Sequence, residues 1–148
     1  MNPETLYPIL SITGIILLIV IIVKIKKAIR HSHSTCPSCK KAYSYPEDFS
    51  IIAGPLQWER KTKTEYKGDF KYEIEYQQFY RILTFDFKCS SFGYEHWFNK
   101  RINVWRSDSN YSQSDAEELQ VLINGVRKQF DNTMFAGKDI IIYPSDEE

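Results

Sequence analysis

The chain has 148 residues, a length that suits one modest domain with at most one further segment. Its 19 basic and 19 acidic side chains cancel, but residues 31–148 hold 15 of the basic and 18 of the acidic ones, a net charge of −3. Such a body lacks the basic surface that contacts with nucleic-acid phosphates require, so we expect no nucleic-acid partner.

An apolar run opens the chain. Residues 6–23 contain no charged side chain, and four basic residues follow from Lys24 onward. A helix of this length spans roughly 27 Å, close to a hydrocarbon core of about 30 Å. We therefore predict a short tail at 1–5, a transmembrane helix at 6–25 and a basic juxtamembrane segment at 26–35. Because the basic residues lie only behind this helix, we expect a single-pass protein of the cell membrane, in contact with the lipid bilayer, with its N-terminus outside and its C-terminal domain in the cytoplasm.

The body that follows has the residue pattern of strands, in which aromatic and β-branched residues alternate with charged ones. Lys67-Gly68-Asp69 is predicted to be the turn of a hairpin. The next run, 79–88, is predicted to be a central strand that is covered on both faces. A last strand at 94–105 makes four strands in succession, for which an antiparallel meander is the simplest topology.

The C-terminal part is predicted to be an amphipathic helix at 114–136, followed by a short strand and an acidic tail at 137–148. Ser114 and Glu117 have the spacing of a capping box. Apolar residues then recur at helical spacing and form one stripe that suits packing on a sheet: Leu119, Leu122, Ile123, Val126 and Phe130. The fold class is therefore predicted to be α+β, with an N-terminal transmembrane helix, a small antiparallel sheet and one C-terminal packing helix.

Three cysteines carry the chemistry that the sequence offers. Cys36 and Cys39 form a CPSC motif, and Cys89 follows fifty residues later. Two thiolates three positions apart on a tight turn are the common half-site for tetrahedral zinc. CPSCKKAY resembles the first knuckle of a zinc ribbon. The segment from Cys89 to Gly93 resembles the second knuckle, except that Phe92 stands at the position of the fourth cysteine.

This resemblance implies a zinc-stabilised β domain at 36–106, which in that family is usually a binding or structural unit. One interpretation keeps zinc on the three cysteines and adds a histidine as the fourth ligand. His33 is the nearest histidine in sequence, and His96 is the alternative. In the other interpretation the metal is lost, and Phe92 packs in its place.

No nucleophile, phosphate-binding or metalloprotease motif occurs, so the chain is not expected to be an enzyme. We predict a membrane-anchored, non-catalytic interaction module that binds a protein partner. The abundant aromatic residues fit either a partner-binding face or ordinary strand composition. Two alternatives stay open: a membrane-tethered thiol oxidoreductase that uses Cys36 and Cys39, and a small immunity or exclusion protein.

Overall fold

A computed structural model describes residues 3–108, 114–130 and 132–145, with side chains except at 3–12, 29–32 and 132. The predicted acidic tail at 146–148 and the end of the predicted connector before the second helix lie outside these residues. The elements in chain order are α1 (Pro3–His33), β1 (Phe49–Ala53), β2 (Gln57–Lys67), β3 (Phe70–Lys88), β4 (Glu95–Arg106), α2 (Asp115–Gln129), a short 3-10 helix (Asn132–Phe135) and β5 (Tyr143–Pro144).

The prediction of a transmembrane helix is wrong. Across the part of the chain that the structure describes, no helix combines the length and the apolar character needed to cross a membrane. The expected single-pass location at the cell membrane, with the N-terminus outside and the C-terminal domain in the cytoplasm, is corrected with it.

The sheet is mixed rather than an antiparallel meander, because β3 forms its centre. β4 pairs antiparallel with 78–88 along one edge of β3. β2 and β1 pair antiparallel with the opposite edge in succession, β2 with 70–80 and β1 with 83–87. β5 then adds to β1 in parallel, which makes the five-stranded sheet mixed. The fold is thus α+β, as predicted, but its sheet is not all antiparallel.

The predicted hairpin turn is present between β2 and β3. Gly68 has φ of +62°, the left-handed conformation that a two-residue hairpin loop favours. The ribbon made by 61–67 and 70–76, which we call the β-arm, is paired with no third strand among the described residues. Tyr66 and Phe70 flank its turn and are 73% and 74% exposed. Both rings therefore lie on the surface and do not belong to the core.

The core lies between one face of the sheet and α2. Leu83, Phe85 and Phe87 of β3 are completely buried. From the predicted apolar stripe of α2, Leu122, Val126 and Phe130 are buried in the same core, whereas Leu119 at its start is 45% exposed. The opposite face of β3 is less covered than predicted: Ile82 and Thr84 are half-buried, and Asp86 is exposed. The alternation of β3 is therefore that of a strand with one dry face.

The start of α2 lies where its capping residue predicted it. The Ser114 hydroxyl accepts a hydrogen bond from the Glu117 amide at 3.4 Å and caps the helix, as its spacing indicated. The helix ends at Gln129, so the segment predicted as one helix at 114–136 contains a helix and a separate 3-10 turn. At Gly125 a Cβ atom would lie 2.6 Å from Cδ1 of Ile102, so this glycine lets α2 approach β4 closely.

Candidate metal centre

Two turns with the same backbone geometry face each other at one end of the sheet. In the first knuckle (residues 36–41) the Cys36 amide donates to the Lys41 carbonyl at 2.8 Å, and the Lys40 amide donates to the Cys36 carbonyl at 2.9 Å. In the second knuckle (residues 89–94) Cys89 makes the equivalent bonds with Tyr94, at 2.9 Å, and Gly93, at 2.8 Å. The two knuckles are therefore equivalent position by position.

Backbone conformation supports this equivalence. The fifth residue of each knuckle adopts a left-handed conformation, with φ of +60° at Lys40 and +65° at Gly93. Glycine suits this conformation better than other residues, so Gly93 is the expected residue and Lys40 is the unusual one. The correspondence puts Cys39 and Phe92 at the same, fourth position. The suggestion that Phe92 stands where a fourth cysteine would be is thus consistent with the geometry.

The sulfur atoms of Cys36, Cys39 and Cys89 converge between the knuckles. Their Sγ atoms all lie within 4.8 Å of one another, and those of Cys39 and Cys89 are 3.5 Å apart. All three cysteines are free thiols, with Cys36 and Cys89 buried and Cys39 half-buried. Three of the four predicted ligands are therefore brought together, and they can hold a metal ion.

Backbone amides favour the charged form of the Cys36 and Cys89 thiols. Burial raises the pKa of Cys36, but the amides of Cys39 and Ser38 and the neighbouring thiols outweigh it, bringing the pKa to about 7. In the second knuckle the amides of Ser91 and Phe92 act on Cys89 in the same way. There burial and the adjacent thiols prevail, and the pKa is raised. Because metals bind thiolates, amides directed at sulfur favour ligation.

The histidines occupy other positions. His33, the predicted fourth ligand, does not join the sulfur cluster; its ring packs on Phe98 with 4.6 Å between ring centroids. His96, the alternative, stacks on Phe87 at 4.7 Å and lies outside the cluster too. Burial lowers the pKa of both imidazoles. The charge of His33 lowers the pKa of His96 further, while the nearby Asp86 carboxylate acts in the opposite direction.

Phe92 does not fill the space between the knuckles. Its side chain is 71% exposed, so it cannot be the apolar plug that the metal-free interpretation required. The fourth position of the second knuckle therefore contributes neither a ligand nor core packing. Of the two interpretations of the sequence, only the metal-free one gave Phe92 a packing role, and its exposure conflicts with that role.

Tyr43 links the sulfur cluster to His96, a contact that the sequence did not reveal. Its hydroxyl interacts with the Cys36 thiol and lies 3.4 Å from Nδ1 of His96. Burial raises the pKa of Tyr43 well above its ordinary value, and the charge and hydrogen-bonding of Cys36 add to this. The phenol therefore stays protonated and can donate to sulfur. Outer hydrogen bonds of this kind orient metal ligands and tune their basicity.

Asp48 is a second contact that the sequence did not reveal, and it connects the segment that follows the first knuckle to the second knuckle. Its carboxylate accepts from the amides of Ser44 at 2.8 Å and Ser90 at 3.1 Å, while its carbonyl accepts from the Lys88 amide at 2.7 Å. Burial raises the pKa of this carboxyl, but the hydrogen bonds from Ser44 and Ser90 outweigh it and leave the pKa lowered. Nothing in the local sequence distinguishes Asp48 from a surface aspartate.

We expect Asp48→Ala to lower the free energy of unfolding by about 1–3 kcal/mol at pH 7, because two backbone amides lose the buried carboxylate that accepts from them. Asp48→Asn keeps one carbonyl acceptor and should lose less. A carboxylate with a lowered folded pKa stabilises the protein above its unfolded pKa of about 3.9, and this stabilisation is lost as the pH falls through the folded value. Urea unfolding at pH 7 and pH 3 checks this: the gap between wild type and Asp48→Asn should narrow in acid. A constant gap would contradict the carboxylate's role.

The centre thus offers a metal ion three sulfur ligands from two matched turns. Sulfur ligands of this type suit zinc, copper(I) and iron–sulfur clusters. Comparison of the chain with family models, with curated proteins and with solved structures found no match. Because no similar protein indicates which of these metals is bound, the choice among them is made from coordination chemistry.

Proposed function

We propose that the protein is a non-catalytic binding module in which zinc holds the two knuckles together. The observation that carries this proposal is the convergence of three Sγ atoms, from separate turns, within 4.8 Å. Zinc–sulfur bonds of about 2.3 Å place tetrahedral sulfurs about 3.8 Å apart. The 3.5 Å between the Cys39 and Cys89 sulfurs is close to that value.

A thiol oxidoreductase that uses Cys36 and Cys39 is less well supported. The first cysteine of a redox pair must reach its substrate, but Cys36 is completely buried. Such pairs also lie at the start of a helix, whereas the residues after Cys39 form turns and extended backbone. The lowered pKa of Cys36 serves metal ligation as well as it would serve thiol exchange.

The β-arm supports the binding part of the proposal, with a protein as the partner. Its turn presents Tyr66 and Phe70 with about three quarters of each side chain in solvent. Exposed aromatic rings of this kind are enriched where proteins bind other proteins. A Tyr66→Ser/Phe70→Ser variant gives a matched protein for any binding measurement, because neither side chain belongs to the core.

Metal analysis tests the zinc centre directly. We expect the purified chain to carry about one zinc ion, because three thiolates already form most of a tetrahedral site. Cys89→Ser should lose the ion, since the second knuckle provides no other sulfur. Ser91→Ala, a change of an exposed residue in the same turn, should retain it. Equal zinc content in wild type and Cys89→Ser would refute the centre.

A further inference from the structure

One vertex of the proposed zinc tetrahedron has no ligand from the described residues. The first knuckle supplies two sulfurs, Cys36 and Cys39, but the second supplies only Cys89. At the position equivalent to Cys39 stands Phe92, whose ring is 71% exposed. Among the described residues no histidine, aspartate or glutamate joins the cluster. Structural zinc sites are almost always four-coordinate, whereas sites with three protein ligands accept a fourth from outside.

The open vertex can be reached from solvent. Cys36 and Cys89 are buried, but Cys39 is half-buried, so the cluster has one accessible side. The turn that would carry a fourth ligand, Ser90 to Gly93, is exposed along its length. A small molecule can therefore approach the sulfur cluster without rearrangement of the core.

The charge of the centre decides which ligand this vertex prefers. Three thiolates on Zn²⁺ leave a net charge of −1, and this electron-rich zinc polarises a bound water only weakly. Soft sulfur ligands complement a thiolate-rich ion better than hard oxygen ligands do. The donor set therefore favours a fourth thiolate over water.

We propose that the zinc centre takes one thiolate from a low-molecular-weight thiol as its fourth ligand. This inference rests on the proposed zinc centre. As the zinc–sulfur bond forms, the incoming thiol gives its proton to the solvent, and any water at that vertex leaves. No oxidation or reduction takes place. The centre is thereby a thiol-binding site as well as a cross-link between the knuckles.

Cobalt(II) substitution in the full chain makes the fourth ligand visible, because each thiolate adds intensity to the sulfur-to-cobalt charge-transfer band. Titration with 2-mercaptoethanol should raise this intensity by about one third, from three thiolates to four, and should saturate. Ethylene glycol, which has a hydroxyl in place of the thiol, should leave the spectrum unchanged. Bound cobalt with no response to 2-mercaptoethanol would overturn the inference and leave the proposed zinc centre intact. No cobalt binding at all would refute the centre itself.

Phe92→Cys provides the matched variant. Its new thiolate stands at the position equivalent to Cys39, so this variant should show the four-thiolate spectrum without added thiol and should not respond to 2-mercaptoethanol. Phe92→Ser should respond as wild type does. The exposed side chain at this position makes both changes compatible with folding. If His33→Ala or His96→Ala instead alters the spectrum of the thiol-free protein, the fourth ligand is internal and the inference is wrong.

Discussion

Chelation of zinc should lower the unfolding temperature by more than about 10 °C. A metal that binds only the folded chain stabilises it by about 4 kcal/mol when free metal exceeds its dissociation constant a thousandfold. For a chain of this size each kcal/mol corresponds to roughly 3 °C. The effect should spread beyond the knuckles, because Cys36 and Cys89 are buried in the same core as Phe87 and Phe130.

Thermal unfolding followed by circular dichroism, with and without a strong chelator, measures this shift. Cys39→Ser is the control: it removes a ligand but no core side chain larger than a thiol. Its unfolding temperature should be low already and should not change when the chelator is added. Identical unfolding of the wild type in both conditions would mean that the folded state does not depend on a metal.

The sulfur cluster could be predicted because a knuckle is a local structure. The CPSC motif fixes the first turn within six residues, and Gly93 marks the second turn by its left-handed backbone. The second turn lies between β3 and β4, and the two turns face each other at one end of the sheet. The fourth ligand could not be predicted in this way, because the placement of His33 against Phe98 depends on packing between distant segments. Exposure of Phe92 is likewise a property of the assembled fold.

The helix α2 was predictable for the same reason, because its cap and its apolar stripe are both recognised from the spacing of residues that are close in sequence. The sheet was only partly predictable. Two predicted strands form one long β3, because the polar residue at their junction, Gln78, is buried at a bulge and donates to the carbonyls of Phe79 and Trp105. β5 consists of two residues and pairs in parallel with β1, a contact with no sequence period to reveal it.

At the apolar run that starts the chain, the sequence predicted a feature that the structure does not contain among the described residues. The composition of this run predicted a span of the membrane, yet no helix among the described residues combines the length and the apolar character for one. Counting hydrophobic residues gives the length of an apolar run, but it does not establish that the helix containing the run spans a membrane. The proposal for the body of the protein therefore rests on the knuckles and the core, which do not involve this run.

Phe85→Ala should cost about 3–5 kcal/mol, the usual range for removing a buried phenyl ring. Phe85 is completely buried at the contact between β3 and α2, with its ring 4.9 Å from that of Phe98 and 5.1 Å from that of Phe130. The cavity left behind would lie between β3, β4 and the end of α2. Because three elements border it, we expect the surrounding side chains to fill little of it. Against a typical total stability of about 5–15 kcal/mol, this is a large share.

Phe70→Ala is the matched control, because it makes the same chemical change in the same strand. Phe70 is 74% exposed, so we expect a change of no more than about 0.5 kcal/mol. Urea unfolding of both variants with zinc present measures the two values under one condition. Similar losses would show that the β-arm is packed in solution. A small loss at Phe85 would show that α2 does not cover β3 as described, and the core that supports the two knuckles would need another arrangement.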